Sequence, residues 1–445
     1  MLDAALASLW LEVASASVTY STAARVDTRA RSMDAQATGE PVAPVAADMD
    51  IVPTLGLKYD DGSAVASVQY APRISFREAT TAPRTEVQHV GRLLGDWRPS
   101  RGLTLHGTQE FVLGQVNLFT NQPLGGSLDE DPTAGPVPGD TPATDLPIQP
   151  LPEGVDTVFF LSSLTTLAAE TVWLGPGWRL SGSAGFSASG GLDDAAKEAV
   201  PFQYGPRAQL SLGHSPAPRH TLATTVGYTD SRFSTGARAT VTTFTGAWTH
   251  RLDRRTSLEA GVGVGVAYSV RATEDAAADD PETPGVTPSA TSPGSGRLTT
   301  LQVGDTPVAD PAQRLELLPD LTLAVSHRVP SRVADFNGRL SARVTPFVDR
   351  LTGLVYPRAD LTLNGTWALG PRFRLSGTAG SAFAVGGAVG DRQVVGGVGA
   401  GWTLNRWVAL EVDTRTAWTR SPDVEAARMV WSATLGLTVQ KTGIL

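Results

Sequence analysis

The side chains best able to do chemistry in this chain are charged residues placed two positions apart. Glu411, Asp413 and Arg415 alternate with Val412 and Thr414. Each guanidinium carries fixed, forked donors that suit carboxylates, and rings of such charges select ions in channels. The spacing therefore indicates one charged face on extended chain, where an anionic or hydroxyl-rich solute could be held weakly.

Further arginines with this spacing extend the candidate face over the last third of the chain. The predicted lumen and substrate pathway consists of Arg339, Arg343, Arg358, Arg372, Arg374, Arg415, Glu411 and Asp413. The competing interpretation is that these charges only form cross-strand salt bridges that hold a wall together. The sequence leaves both interpretations open.

Catalysis, metal binding and cofactor binding have little support in the sequence. The six histidines are scattered and mostly close to predicted turns, so ordinary boundary or turn roles are favoured over a hydrolase triad. No metal-ligand spacing, phosphate loop or nucleotide motif occurs. We therefore expect no catalytic residues, no metal and no cofactor.

The elements that must position these charges are long alternating strands, best seen in the hairpin over residues 237–271. Val262, Val264 and Val266 alternate with glycines there, within a period-two pattern of roughly a dozen residues. Strands of soluble sheets average ~5–6 residues, whereas a tilted strand needs ~9–11 residues to cross a bilayer. The hairpin is thus typical of a transmembrane β-barrel.

The same pattern recurs along the chain and predicts an all-β fold, a transmembrane antiparallel up-and-down β-barrel of about 18 strands. The strands are expected from about residue 13 to about residue 439, with the first over 13–27, in a single domain over 1–445. An even count places both termini in the periplasm, and the two long loops, about 117–155 and 272–313, outside.

Aromatic residues are expected in two girdles at the membrane boundaries. The periplasmic girdle is predicted to contain Trp97, Trp173, Trp178, Trp248, Trp367, Trp402 and Trp407. The other girdle is predicted to contain Tyr20, Tyr204, Tyr228, Tyr268, Tyr356 and Trp418.

Composition narrows the possible compartments and partners. Of the 445 residues 41% are hydrophobic, and no run of 18 apolar residues predicts a membrane helix. The net charge of -8 argues against nucleic acid, and the absence of Cys suits an oxidising periplasm. Residues 1–17 lack the basic segment of an export signal, so we expect that a signal was removed or starts upstream.

A resemblance to a known family comes from the first quarter of the chain. The stretch DIVPTLGLKYDDGSAVASVQYAPRISFRE, followed by EVQHVGRLLGDWRPSRGLTL, resembles the Wzp-type outer-membrane porins of exopolysaccharide assembly in myxobacteria. The resemblance implies an 18-stranded barrel in the bacterial outer membrane that exports a polysaccharide chain, and the arginines named above would suit an anionic chain. It also implies a periplasmic polysaccharide export protein as partner, besides the outer-membrane lipid.

Three function classes follow from these observations. The first is an outer-membrane channel for export of a secreted or surface polysaccharide. The second is a general diffusion porin, or a transporter of small solutes or fatty acids. The third is a structural or enzymatic barrel, for which the sequence offers no constellation of residues.

Overall fold

The computed structural model describes residues 17–32, 45–77, 84–100, 102–117, 157–171, 175, 177–270, 313–330, 334–349, 353–385, 392–420 and 428–444. Its strands are β1 (Ser17–Ser32), β2 (Val45–Asp60), β3 (Ala64–Tyr70), β4 (Arg73–Arg77), β5 (Arg84–Ser100), β6 (Leu103–Asn117), β7 (Thr157–Thr171), β8 (Trp178–Gly191), β9 (Gln203–Ala217), β10 (His220–Phe233), β11 (Arg238–Arg251), β12 (Thr256–Val270), β13 (Gln313–Val329), β14 (Ala334–Val348), β15 (Val355–Leu369), β16 (Phe373–Ala384), β17 (Arg392–Thr403), β18 (Val408–Arg420) and β19 (Arg428–Ile444). One short helix, α1 (Asp194–Ala199), lies between β8 and β9. No helix within the described ranges is long and apolar enough to cross a membrane.

The strands form one closed antiparallel sheet in chain order. The last strand returns to the first, with Tyr20 opposite Gly443. β3 and β4 keep a single register against β5, since Tyr70 faces Gly91 and Arg73 faces Gln88. They are one strand interrupted where Pro72 cannot donate to the ladder. The barrel therefore has 18 strands, which confirms the predicted fold class.

Large apolar side chains cover the outside of the barrel. Leu317 is 74% exposed, Val262 66% and Leu167 65%, although each lies within a long strand. Most side chains on the opposite face of the same strands are polar or small. A closed barrel satisfies every strand hydrogen bond internally, and its apolar exterior matches lipid. The protein accordingly lies in the bacterial outer membrane.

The two ends of the barrel differ in the length of their connections. One end, the short-turn rim, carries the start of β1 and the end of β19. It also carries tight turns such as Asp60–Ala64, in which Gly62 adopts φ 84°. Asp61 closes this turn by accepting the amides of Ser63 and Ala64. The opposite end, the long-loop rim, receives the connections over 118–156 and 271–312. The predicted parity of the connections is thus confirmed.

Several expected details are wrong. The first strand extends to Ser32, beyond its expected end at 27, while its expected start at 13 lies outside the described residues. β2 begins at Val45, before the Ile51 at which the alternating pattern predicts it to start. Tyr20 lies near the short-turn rim and not in the opposite girdle. Tyr356 shares the lumen face of β15 with Arg358 and packs on Phe347, with ring centroids 5.4 Å apart. Trp173 lies outside the described residues.

Candidate functional site: the lumen wall

Most of the predicted arginines lie on the inner wall. They are Arg339 and Arg343 on β14, Arg358 on β15, Arg374 on β16 and Arg415 on β18. Their strand neighbours Leu340 and Val412 are 47% and 43% exposed on the lipid side. Because side chains alternate between the faces of a strand, the arginines face the lumen.

Arg372 does not belong to this wall. It lies in the turn between β15 and β16, where its carbonyl accepts the amide of Thr403. Arg372 is two positions before Arg374, so it would face the lumen if the strand extended that far, but β16 begins only at Phe373. Arg372 is therefore an exposed residue of the short-turn rim.

Two of the lumen arginines are held by carboxylates. Arg339 donates to Glu259 at 3.1 Å, across the width of β13, and Arg358 donates to Asp360 at 3.0 Å. The Arg358 guanidinium also lies 4.7 Å above the centre of the Phe347 ring. These contacts are the wall-stabilising salt bridges of the competing interpretation.

Glu411 joins the two ends of the chain across the closure of the barrel. It accepts a hydrogen bond of 2.6 Å from Arg25 of β1, with β19 lying between the two strands. Arg25 also donates to Asp27 at 2.8 Å. Glu411 is consequently part of the wall where the barrel closes.

Three lumen arginines remain open to solution. Arg343, Arg374 and Arg415 are exposed, and within the described part of the chain none of them forms an ion pair. A guanidinium facing water in a wide barrel keeps its donors available to a passing solute. These three residues, rather than the whole predicted set, are open to the lumen.

Glycines on β17 make room for the charges of β18. Gly399 stands beside Asp413, and a Cβ added there would collide with the Asp413 carboxylate. A Cβ on Gly397 would lie 3.4 Å from Cγ of Arg415. Side chains at these positions would push both charged groups toward the barrel axis, so glycine lets them lie along the wall.

A buried cluster of charges on β1, β2, β4 and β5 went largely unrecognised in the sequence. Arg77, which is 3% exposed, donates to Asp48 at 2.9 Å and to Glu86 at 3.1 Å. Asp50, which is 1% exposed, is paired with Arg73 and lies 3.7 Å from Arg29. The cluster is near the long-loop rim on the lumen side.

The sequence signal for this cluster is a period-two spacing of charged residues. Asp48 and Asp50 are two residues apart, and Arg73, Ser75 and Arg77 follow one another at the same spacing. Asp48 and Asp50 alternate with Ala47 and Met49, so the hydrophobic alternation at the start of β2 is too weak to reveal the strand.

A separate sector of the inner wall, on β8 to β11, is rich in hydroxyl groups and also carries the inward-facing Arg179 and Arg207. Thr225 donates to Ser211 at 3.1 Å within this sector. Its lumen-facing hydroxyl residues are Ser181, Ser183, Ser187, Ser189, Ser211, Thr225, Thr229, Thr243 and Thr245. Such side chains both donate and accept hydrogen bonds, as sugar hydroxyls do.

Two connections fold inward at the long-loop rim. Helix α1 covers Val158 and Phe160 of β7, which are 2% and 6% exposed on the lumen side. The β14–β15 connection reaches Ala237 beside β11, since a Cβ on Gly353 would lie 2.7 Å from the Ala237 Cβ. These contacts narrow the lumen at this rim.

Comparison with known families decides the group to which the chain belongs. A model of the EpsX exopolysaccharide export family matches residues 10–445. The chain belongs to the EpsX exopolysaccharide export family. No curated protein matches the chain.

Solved structures with similar topology are outer-membrane proteins of low sequence identity. OpdK from Pseudomonas aeruginosa is 10% identical, with TM-score 0.41 and coverage of 96% of this chain and 99% of that one. OccAB4 from Acinetobacter baumannii is 8% identical, with TM-score 0.43 and coverage of 96% and 98%.

Proposed function

We propose that this protein is the outer-membrane channel through which an exopolysaccharide leaves the cell. The observation that carries the proposal is the membership of the EpsX family over residues 10–445. The lumen wall supports it, because the strands from β8 to β11 offer hydroxyl groups and those from β14 to β18 offer exposed guanidinium groups. Both kinds of donor suit a hydrated polymer.

The polymer is proposed to move along Arg343, Arg374 and Arg415. Conduction requires sites that bind a solute and release it readily, and a solvated guanidinium without an ion-pair partner meets that requirement. Arg339 and Arg358 are already held by Glu259 and Asp360, so they act as wall structure. Asp413 and Glu411 limit the net positive charge on this part of the path.

The proposed partners are the polysaccharide chain and a periplasmic polysaccharide export protein that delivers it to the short-turn rim. This orientation takes the long-loop rim as the cell exterior, since long loops of outer-membrane barrels are extracellular. The resemblance to the Wzp type supports the same partner.

The function is tested by deleting the gene and measuring exopolysaccharide in the cell, the periplasm and the medium. We expect surface polysaccharide to fall and polymer to accumulate inside, with recovery on complementation. Uptake of small sugars, measured in the same strains, is expected to stay unchanged. Normal surface polysaccharide with slower uptake would contradict export and favour a diffusion porin.

A further inference from the structure

A second charged cluster lies on the outside of the barrel at the long-loop rim. Asp230 of β10 accepts hydrogen bonds from Arg238 at 2.8 and 3.2 Å, from Arg232 at 3.4 Å and from Thr240 at 3.0 Å. Asp230 is 3% exposed, whereas the Arg232 and Arg238 side chains are 51% and 46% exposed. The carboxylate thus lies beneath two guanidinium groups that remain open to the surroundings.

Strand parity places this cluster on the lipid side. Asp230 and Arg232 share the face of β10 that exposes Val226 and Tyr228, and Arg238 shares the face of β11 that exposes Phe244. The opposite face of the same strands carries buried lumen residues. The cluster therefore faces outward and takes no part in the lumen.

Tyrosines mark the depth of the cluster in the membrane. Tyr228 precedes Asp230 by two residues, Tyr268 pairs with Thr240, and Tyr204 pairs with Arg232. Tyrosine rings favour the boundary between hydrocarbon and headgroups. Two residues of strand add about 7 Å, so Arg238 lies at headgroup depth.

The charge arrangement indicates what the arginines bind. A carboxylate on the outer face of the barrel would be repelled by anionic lipids unless it holds cationic side chains in place. Here Asp230 holds both Arg232 and Arg238. Arg238 uses Nε and Nη2 on Asp230, while Arg232 uses only Nε, which leaves one free edge on each guanidinium. Phosphate oxygens are the usual acceptors for such oriented forks.

We propose that Arg232 and Arg238, held by Asp230, bind the phosphate group of a membrane lipid in the leaflet at the long-loop rim. Asp230 acts as a positioning residue and does not touch the lipid. The site is independent of the proposed export function, because it lies outside the lumen.

The test uses the full-length protein in nanodiscs and measures binding of lipid A that carries its phosphates, by native mass spectrometry. The double variant Arg232→Gln and Arg238→Gln is expected to weaken binding about tenfold, since charge-assisted hydrogen bonds are lost. The matched control is Arg392→Gln, which removes an exposed, outward-facing arginine of the same rim and should leave binding unchanged. Heat-modifiable migration on gels shows that each variant has assembled.

Asp230→Asn separates oriented binding from attraction by net charge. The substitution makes the cluster more positive, so simple attraction would tighten lipid binding, whereas loss of the positioned guanidinium groups weakens it severalfold. Dephosphorylated lipid A is expected to bind no better to the wild type than to the double variant.

Two results with variants would overturn the proposal: lipid A binding by the double variant equal to that of the wild type, or tighter binding by Asp230→Asn. A competition result would do so as well. If inorganic phosphate displaced lipid A as effectively as phosphatidylglycerol vesicles of matched phosphate content, the site would bind phosphate in general and not a lipid.

Discussion

Arg77 is the side chain on which the buried charge cluster depends. It contacts Asp48 and Glu86 directly and lies 3.8 Å from Asp50, and all four residues are almost completely buried. Arg77→Met removes the cation and leaves carboxylates uncompensated. Breaking a buried ion pair in this way costs ~3–5 kcal/mol. We expect the heat-modifiable gel transition of the variant to occur at clearly lower temperature.

The control for Arg77 is Arg343→Met, because Arg343 is an exposed lumen arginine without an ion pair among the described residues. Its transition temperature should match that of the wild type. Equal shifts in the two variants would mean that burial of the cluster contributes nothing specific to stability.

At the residue scale, the sequence predicts which face of a strand a side chain occupies more reliably than it predicts the ion-pair partner of that side chain. Arg343, Arg374 and Arg415 lie on the lumen face of their strands, because the face follows from the spacing of residues alone. Arg339 and Glu259 lie 80 positions apart, and only the register of β12, β13 and β14 brings them together. Arg372 shows the limit of parity, which holds only as far as the strand extends.

At the scale of the element, the β14–β15 connection is predicted to restrict the lumen. Gly353 has φ +69°, and its added Cβ would collide with Ala237. Gly370 has φ +70° in a short turn, with nothing within 4 Å of an added Cβ. Alanine at either position adds similar backbone strain, ~1–2 kcal/mol, but only Gly353→Ala displaces the connection from the wall.

Single-channel conductance in planar bilayers tests this difference. Gly353→Ala is expected to raise the conductance, because the connection moves away from β11, while Gly370→Ala leaves it unchanged. An unchanged conductance in both variants would show that the connection does not limit ion flow.

The short turns provide a pH-dependent contribution to stability. The amides of Arg255 and Thr256 donate to Asp253 and lower the pKa of its carboxyl group, and the amides of Ala64 and Ser63 do the same for Asp61. A carboxyl group whose pKa is lower in the folded state stabilises the fold above its unfolded pKa, ~3.9. That contribution disappears as the pH falls through the folded pKa.

The pH effect is measured as the difference in unfolding temperature between the wild type and Asp253→Ala. We expect a constant difference near neutral pH and a smaller one below about pH 4. Leu252→Ala, at the exposed tip of the same turn, should give a difference that does not vary with pH. A difference for Asp253→Ala that persists undiminished in acid would exclude the carboxylate as its cause.

The strands themselves were predictable because lipid imposes a long, regular alternation on every one of them. Where the alternation was apolar, as in β12, the predicted hairpin is present. It failed for the start of β2, since Asp48 and Asp50 alternate with only one large apolar residue, Met49. The short helix α1 shows no such alternation in its sequence, and its packing against β7 depends on the closed barrel.

At the scale of the whole molecule, the chemistry of the lumen wall changes around the barrel. The strands from β8 to β11 are rich in hydroxyl groups, with Arg179 and Arg207 among them, and the strands from β14 to β18 carry the exposed arginines Arg343, Arg374 and Arg415. A polymer in the lumen would meet many neutral hydrogen-bonding groups on the first set of strands and more positive charge on the second. Charge on β14 to β18 should therefore influence selectivity.

The last prediction reverses that charge by changing Arg343, Arg374 and Arg415 together to Glu. The variant should assemble, because these side chains face water, and charged substitutions cost ~2–4 kcal/mol chiefly on the lipid face. The reversed field should repel anions, so we expect lower anion preference in planar bilayers and less exported polysaccharide if the polymer is acidic. The control replaces Arg254, Arg255 and Arg406, which lie in exposed short turns, and changes the net charge equally. If the lumen variant assembled with unchanged selectivity and export, the three arginines would serve only as wall structure. If both variants lost selectivity and export equally, the total charge of the protein would matter and not the position of the charge in the lumen.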